Sequence, residues 1–62
     1  MKTINEVDNI LAEMPTGDFI EICDLMDACY KTNYSADAEQ KLTKAVIPYG
    51  LTAEEVLAWD AK

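Results

Sequence analysis

The sequence predicts an all-α protein, a small bundle of three to four short helices in a single domain over residues 1–62. Apolar residues recur at spacings of three and four along most of the chain, which is the period of an amphipathic helix. Three segments, Thr3–Glu6, Asp18–Glu21 and Thr52–Glu55, place a capping residue three positions before a glutamate. In such a capping box both side chains bond backbone N–H groups at a helix start. Half of the residues are hydrophobic, which argues against a disordered chain.

The first helix is predicted from about Ile4 to Met14. Its apolar stripe has spacings of three, four and three residues and consists of Ile4, Val7, Leu11 and Met14. A residue before proline avoids the helical conformation, so Pro15 predicts the end of this helix at Met14. Thr16 and Gly17 are typical turn residues and are expected to lead into the next helix.

The second helix is predicted from about Phe19 to Lys31, with Asp18 as its cap. It is the most apolar segment, because seven residues cover an arc of roughly 160° at about 100° per residue: Phe19, Ile22, Cys23, Leu25, Met26, Cys29 and Tyr30. An arc of this width is typical of a central helix that contacts two neighbours. The opposite side carries Glu21, Asp24 and Asp27 within a sector of about 120°, and Ile20 projects into that acidic side.

The third helix follows the break at Thr32–Tyr34. Ser35 is expected to cap it, and Asp37 suits its first turn because the helix dipole favours negative charge there. One face carries apolar residues and an aromatic ring, namely Ala38, Leu42, Ala45, Val46 and Tyr49. Pro48 and Gly50 predict its end.

The fourth helix is predicted from Thr52 to about Trp59. Leu51 and Val56 occupy the two positions of a hydrophobic staple, a contact that fixes the chain at a helix start. The residues expected to face inward are Ala53, Val56 and Leu57, with Trp59 at the edge of that face. The four large aromatic residues outside Phe19 are expected in the core or at its edge: Tyr30, Tyr34, Tyr49 and Trp59.

Twelve acidic residues outnumber five lysines, and the chain has no arginine or histidine. The net charge of −7 repels nucleic-acid phosphates and anionic membranes, so direct binding to either is not expected. No apolar run is long enough to span a bilayer, and no disulfide framework typical of small secreted chains is present. These features predict a cytoplasmic protein.

Candidate chemistry is scarce along the chain. Cys23 and Cys29 lie six residues apart on one predicted helix, too far for a mutual disulfide, and are expected to be small buried apolar side chains. The alternating oxygen donors from Asn33 to Glu39 lack the central glycine and closing glutamate of a calcium loop. The third and fourth helices could imitate a helix-turn-helix, but the fourth helix, from Thr52 to about Trp59, is too acidic to be a DNA-recognition helix. No catalytic residue, metal site or cofactor is therefore predicted.

The candidate binding residues are Ile20, Glu21, Asp24, Asp27 and Trp59. On this interpretation the three carboxylates form a charged rim for a basic protein partner, with Ile20 as an apolar anchor. Alternatives left open are a face that is merely solvated and an acidic surface that mimics nucleic acid to inhibit a DNA- or RNA-binding protein. Since a chain of this length buries little surface, a homodimer through helix 1, helix 2 or Trp59 is also expected.

In its overall profile the chain resembles the short acidic accessory proteins encoded in the early regions of temperate, lambda-like phages. The resemblance rests on the compact reading frame, the capped helices Thr3–Glu6 and Thr52–Glu55, the acidity and the lack of catalytic residues. It implies a non-enzymatic protein that regulates host or phage development through protein contacts. It transfers no functional residue to this chain.

Overall fold

The computed structural model describes residues 1–61 and consists of four helices. They are α1 (Ile4–Glu13), α2 (Thr16–Lys31), α3 (Ala36–Val46) and α4 (Ala53–Ala61), with a 3-10 turn at Ile47–Tyr49 after α3. The described residues contain no strand. The predicted all-α bundle is therefore confirmed.

The first capping box is present as the sequence predicts. The Thr3 hydroxyl accepts a hydrogen bond from the Glu6 N–H at 3.2 Å, and the Glu6 carboxylate accepts one from the Thr3 N–H at 3.1 Å. These bonds hold the pKa of Glu6 below its ordinary value. The helix ends one residue earlier than predicted, because Met14 adopts the extended conformation that Pro15 favours (φ −77°, ψ 159°).

The predicted start of the second helix is wrong. α2 begins at Thr16 and not at Phe19, and its N-cap is Pro15, which supplies no side-chain hydrogen bond. The first turn closes through the Phe19 N–H and the Pro15 carbonyl at 3.1 Å. Gly17 destabilises the helix little there, because the penalty for glycine applies mainly to helix interiors and Gly17 lies in the first turn. Asp18 does not cap α2; it lies in the first turn, and its carboxylate accepts a hydrogen bond from Tyr49.

The turn after α2 holds two residues in the left-handed region, Asn33 (φ 55°) and Tyr34 (φ 61°). The Tyr34 N–H donates to the carbonyl of Cys29 at 2.6 Å, which closes the end of the helix. The bend turns the Tyr34 side chain outward. Tyr34 is 50% exposed and Tyr30 is 40% exposed, so the expectation that these two residues belong to the core or its edge is wrong.

α3 begins as its sequence predicts but ends at Val46, so Tyr49, which was expected on its apolar face, lies in the 3-10 turn that follows. The Ser35 hydroxyl accepts a hydrogen bond from the Ala38 N–H at 3.2 Å. After Val46 the chain continues in the 3-10 turn that contains Pro48, and Gly50 terminates this turn in the left-handed conformation (φ 74°). Glycine adopts this conformation without the steric cost that a Cβ atom brings.

The capping box of α4 is also present, but its glutamate has a further role. Glu55 is only 6% exposed. One carboxylate oxygen accepts from the Thr52 N–H at 2.9 Å, and the other accepts from the backbone N–H of Lys2 at 2.6 Å. The bond from Lys2 and those from Thr52 hold the Glu55 pKa below its ordinary value despite desolvation. Glu55 thereby joins the N-terminal arm to the start of α4, which the sequence pattern does not reveal.

The core lies where the four helices meet. α2 packs along α3, α1 packs against α4, and α3 contacts α4. Residues from every helix, from Met14 and from Leu51 fill it: Val7, Leu11, Met14, Ile22, Met26, Cys29, Ala38, Leu42, Val46, Leu51 and Val56. The Cα radius of gyration is 10.6 Å, which equals the value of about 10.6 Å expected for a globular chain of this length. The single chain therefore closes over its own core.

The two cysteines are free thiols with different environments. Cys29 is fully buried, as predicted, whereas Cys23 is only partly buried and packs against the edge of the core. Desolvation raises the pKa of both thiols. Both side chains therefore stay protonated at neutral pH and act as small apolar groups.

Candidate functional site

Four of the predicted binding residues lie together on the solvent side of α2. Ile20 is 54% exposed, and the carboxylates of Glu21, Asp24 and Asp27 are exposed as well. At 100° per residue the four positions share a sector of about 120°. We call this surface the α2 acidic face. It combines a large solvent-exposed apolar side chain with three negative charges.

A lysine that the sequence analysis did not assign to this surface lies at its C-terminal end. The Lys31 ammonium group is 2.8 Å from the Asp27 carboxylate, and both side chains are mostly exposed. Their hydrogen bond raises the pKa of Lys31. An exposed pair of this kind adds little stability. Its main effect is to offset the charge of Asp27, the last of the three carboxylates, so the acidic series is limited to the part of the helix before Lys31.

Trp59, the fifth predicted binding residue, lies in a different environment. Its indole Nε1 donates a hydrogen bond to the Asp8 carboxylate at 3.0 Å. Its ring meets the Phe19 ring edge to face, with centroids 6.3 Å apart and planes at 80°. Trp59 is half-buried, so it links α4 to both α1 and α2 while part of its surface faces solvent.

An open cavity of about 270 Å³ adjoins these rings. We call it the aromatic pocket, and its lining consists of Asp8, Leu11, Ala12, Met14, Thr16, Phe19 and Trp59. Thr16 lies one helical turn before Ile20, a spacing at which side chains on a helix are neighbours. The aromatic pocket therefore borders the α2 acidic face, although Trp59 itself is not part of that face.

A second exposed surface is formed by the two tyrosines at the end of α2. The rings of Tyr30 and Tyr34 meet edge to face with centroids 5.8 Å apart. The Tyr30 hydroxyl donates to the Asp60 carboxylate at 2.6 Å, and this bond raises the pKa of Tyr30 to about 12. Both phenol rings are exposed. We call this surface the tyrosine pair.

Sequence reasoning missed Asp8 and Phe19 as members of a pocket with Trp59. Phe19 was expected only in the core, and no role was predicted for Asp8. The contact between Asp8 and Trp59 joins residues 51 positions apart, so a local pattern carries no signal for it. The sequence offered one indication of a pocket: Trp59 was predicted at the edge of the core, where a tryptophan has one side against apolar residues and the other toward solvent.

Within residues 1–61, no three Cys, Asp or Glu side chains are grouped closely enough to hold a metal ion. None of the helices in this part of the chain combines the length and apolar character needed to cross a membrane. Comparison with protein-family models, curated protein sequences and solved structures found no match to this chain.

Proposed function

We propose that the chain is a non-enzymatic protein-interaction module that binds a basic protein partner through the α2 acidic face. The observation that carries the proposal is the exposed Ile20 among three carboxylates on one helix. A buried isoleucine would belong to the core, and a wholly charged face would serve solubility alone. An apolar anchor within a polar rim is the usual arrangement of a binding hot spot.

The charge of the whole chain supports the same class of partner. A net charge of −7 on 62 residues attracts positively charged surfaces and repels phosphates. Direct binding to nucleic acid and to anionic membranes is therefore not part of the proposal. Opposite charge raises the rate of encounter, while the anchor sets how long the complex lasts.

The alternative function is mimicry of nucleic acid by the acidic surface, which would inhibit a DNA- or RNA-binding protein. Mimicry requires a regular series of negative charges. On α2 the ion pair between Lys31 and Asp27 offsets the last of only three such charges. This pair favours an adaptor-type interface over a mimic.

The biological setting of the proposal comes from the resemblance to accessory proteins of temperate, lambda-like phages. On that basis the module is a regulator that acts through protein contacts in the cytoplasm. The partner would then be a host or phage protein with a basic surface.

We further propose that the chain forms a homodimer through the tyrosine pair. Two α2 acidic faces repel each other, whereas Tyr30 and Tyr34 offer exposed aromatic surface of the kind enriched at protein interfaces. Because each chain carries −7, added salt should strengthen the dimer by screening repulsion between copies.

Sedimentation should therefore give a dimer at micromolar concentration, with a larger dimer fraction in high salt. Tyr34→Ser should shift the equilibrium to the monomer, whereas Ile47→Ser, at a site of similar exposure outside the pair (60% against 50%), should not. A monomer of 6.9 kDa throughout the micromolar range in both salts would refute self-association.

The role of Ile20 as the anchor is tested by truncating its side chain and, as a matched control, that of Ile47. The partner is first captured from the native cytoplasm and identified by mass spectrometry, and binding kinetics are then measured with the purified protein. Ile20→Ala should raise the dissociation rate about tenfold, as expected for a hot-spot side chain. Ile47→Ala removes an isoleucine of similar exposure (60% against 54%) and should leave the rate unchanged. Equal rates for the two variants would exclude Ile20 as the anchor.

A further inference from the structure

Two oppositely charged side chains of α3 have no ion-pair partner among residues 1–61. The ion pairs in this part of the chain are Lys31–Asp27 and Lys41–Asp37. Glu39 and Lys44 belong to neither pair, and both are exposed. They are five residues apart, whereas side chains that meet on one helix are three or four residues apart. The two charges are therefore not placed to pair within α3.

A stripe of small or uncharged side chains lies between these two charges. Ala36, Gln40 and Thr43 follow one another at spacings of four and three residues. This is the spacing of the contact positions of paired helices, which are labelled a and d and are flanked by positions g and e. With Gln40 at a and Thr43 at d, Glu39 is at g and Lys44 is at e. We call these five residues the α3 outer face.

The order of the charges fits a pair of parallel α3 helices. In such a pair a residue at g lies opposite the residue at e that comes five positions later in the other helix. Glu39 of each copy would then meet Lys44 of the other copy. In an antiparallel pair the same flanks meet, so the two glutamates would lie on one side and the two lysines on the other. The α3 outer face is therefore complementary to its own copy in the parallel orientation.

The tyrosine pair adjoins the N-terminal part of this face. Tyr34 and Glu39 line one groove between α3 and α4, and Glu39 also lines the groove that Lys44 borders on α3. A parallel pair brings the same ends of the two helices together, so both copies of Tyr34 lie at one end of the dimer. The α3 outer face thus extends the surface of the tyrosine pair. Ile47 lies beyond the helix end, in the 3-10 turn, and is outside this face.

We propose that the α3 outer face binds a second copy of this chain in the parallel orientation, with two reciprocal ion pairs between Glu39 and Lys44. The inference rests on the proposed homodimer and adds its orientation and register. The face carries one charge of each sign, so it does not repel its copy as the α2 acidic face does. Exposed ion pairs contribute little affinity, and their effect here is to select which surfaces meet.

Exchanging the charges tests this pairing through the dimer dissociation constant, measured by sedimentation equilibrium. Glu39→Lys should raise the constant about tenfold, because two attractions become two repulsions. Lys44→Glu should have a similar effect, and combining the two substitutions should restore wild-type association. Glu13→Lys is the control at an exposed site on α1. It also changes the net charge by +2, from −7 to −5, and should strengthen the dimer slightly by reducing the repulsion between copies.

A mixture of the two single variants tests the reciprocal geometry. Glu39→Lys and Lys44→Glu each place like charges opposite each other in their own homodimers, whereas both pairs are attractive in the mixed dimer. The mixed dimer should therefore exceed random pairing, as measured by native mass spectrometry with one variant labelled with ¹⁵N. Glu13→Lys mixed with Lys41→Glu has the same net charges, −5 and −9 (from −7 by +2 and −2), and reports the effect of net charge alone.

The outcomes separate this inference from the homodimer on which it rests. A chain that stays monomeric throughout the micromolar range would overturn both. A dimer that Glu39→Lys does not weaken, or that the double exchange does not restore, would overturn the α3 pairing and leave the tyrosine pair as the interface. A mixed-dimer fraction no larger than that of the control mixture would have the same meaning.

Discussion

Leu42→Ala should destabilise the fold by about 2–5 kcal/mol, the usual cost of a cavity at a fully buried leucine. Leu42 has no exposed surface and lies on α3 in the core. A folded chain of this length is stable by only roughly 3–9 kcal/mol, at 0.05–0.15 kcal/mol per residue. The substitution therefore removes a large share of the total, and a substantial fraction of the variant should be unfolded at physiological temperature.

Urea unfolding followed by circular dichroism measures this effect through the midpoint of the transition at an unchanged slope. Leu25→Ala is the matched control, because Leu25 also lies within a helix but is only partly buried. Both substitutions alter helix propensity equally, so the difference between them reports burial. Similar losses at the two sites would contradict the position of Leu42 at the centre of the core.

Reversing the charges of the α2 acidic face should have the largest effect on binding. Glu21→Lys, Asp24→Lys and Asp27→Lys together change the net charge by +6, from −7 to −1. Electrostatic steering raises association rates from roughly 10⁵–10⁶ to as much as 10⁸–10⁹ M⁻¹s⁻¹. Association with a basic partner at low salt should therefore slow by about a hundredfold or more. The fold should survive, since all three side chains are exposed.

The control for this variant reverses three exposed carboxylates elsewhere: Asp37→Lys, Glu39→Lys and Glu54→Lys. The change in net charge is the same, and each set disrupts one ion pair four residues apart, Asp27–Lys31 or Asp37–Lys41. If both variants slow association equally, the overall charge attracts the partner and α2 has no special role. If the α2 variant binds as fast as the wild type, the α2 acidic face is merely solvated and the interface lies elsewhere. Trp59, the predicted binding residue outside that face, is then the next position to test. A captured partner that is released by competing DNA or RNA would favour the mimic.

Local patterns predicted most of the fold. The capping boxes at Thr3 and Thr52, the cap at Ser35 and the helix stop at Gly50 depend on neighbouring residues only, and the structure has all four. The start of α2 could not be predicted in the same way. Asp18 and Glu21 fit the pattern of a capping box, but the Asp18 carboxylate accepts from Tyr49, 31 residues away.

The candidate site also has a part that local patterns predict and a part that they do not. Helical periodicity was enough to place Ile20 with three carboxylates on one face of α2, because these residues share one helix. The aromatic pocket requires residues from α1, α2 and α4, and Glu55 is buried by a bond to Lys2. Such contacts depend on how the helices are arranged in space, and the spacing of residues along a single helix does not contain that information.

The bond between Lys2 and Glu55 has a consequence for the order in which the chain folds. α2 and α3 are neighbours in sequence and pack against each other. α1 packs against α4, so the α2–α3 pair lies between α1 and α4 in the sequence. Closing the short loop between α2 and α3 costs less entropy than closing the outer pair, whose linking bond spans 53 residues. α1 is synthesised before α4, and it packs most extensively against α4, so its main contacts cannot form until α4 has emerged. The α2–α3 pair is thus the part able to form early, and the hydrogen bond between Lys2 and Glu55 forms last.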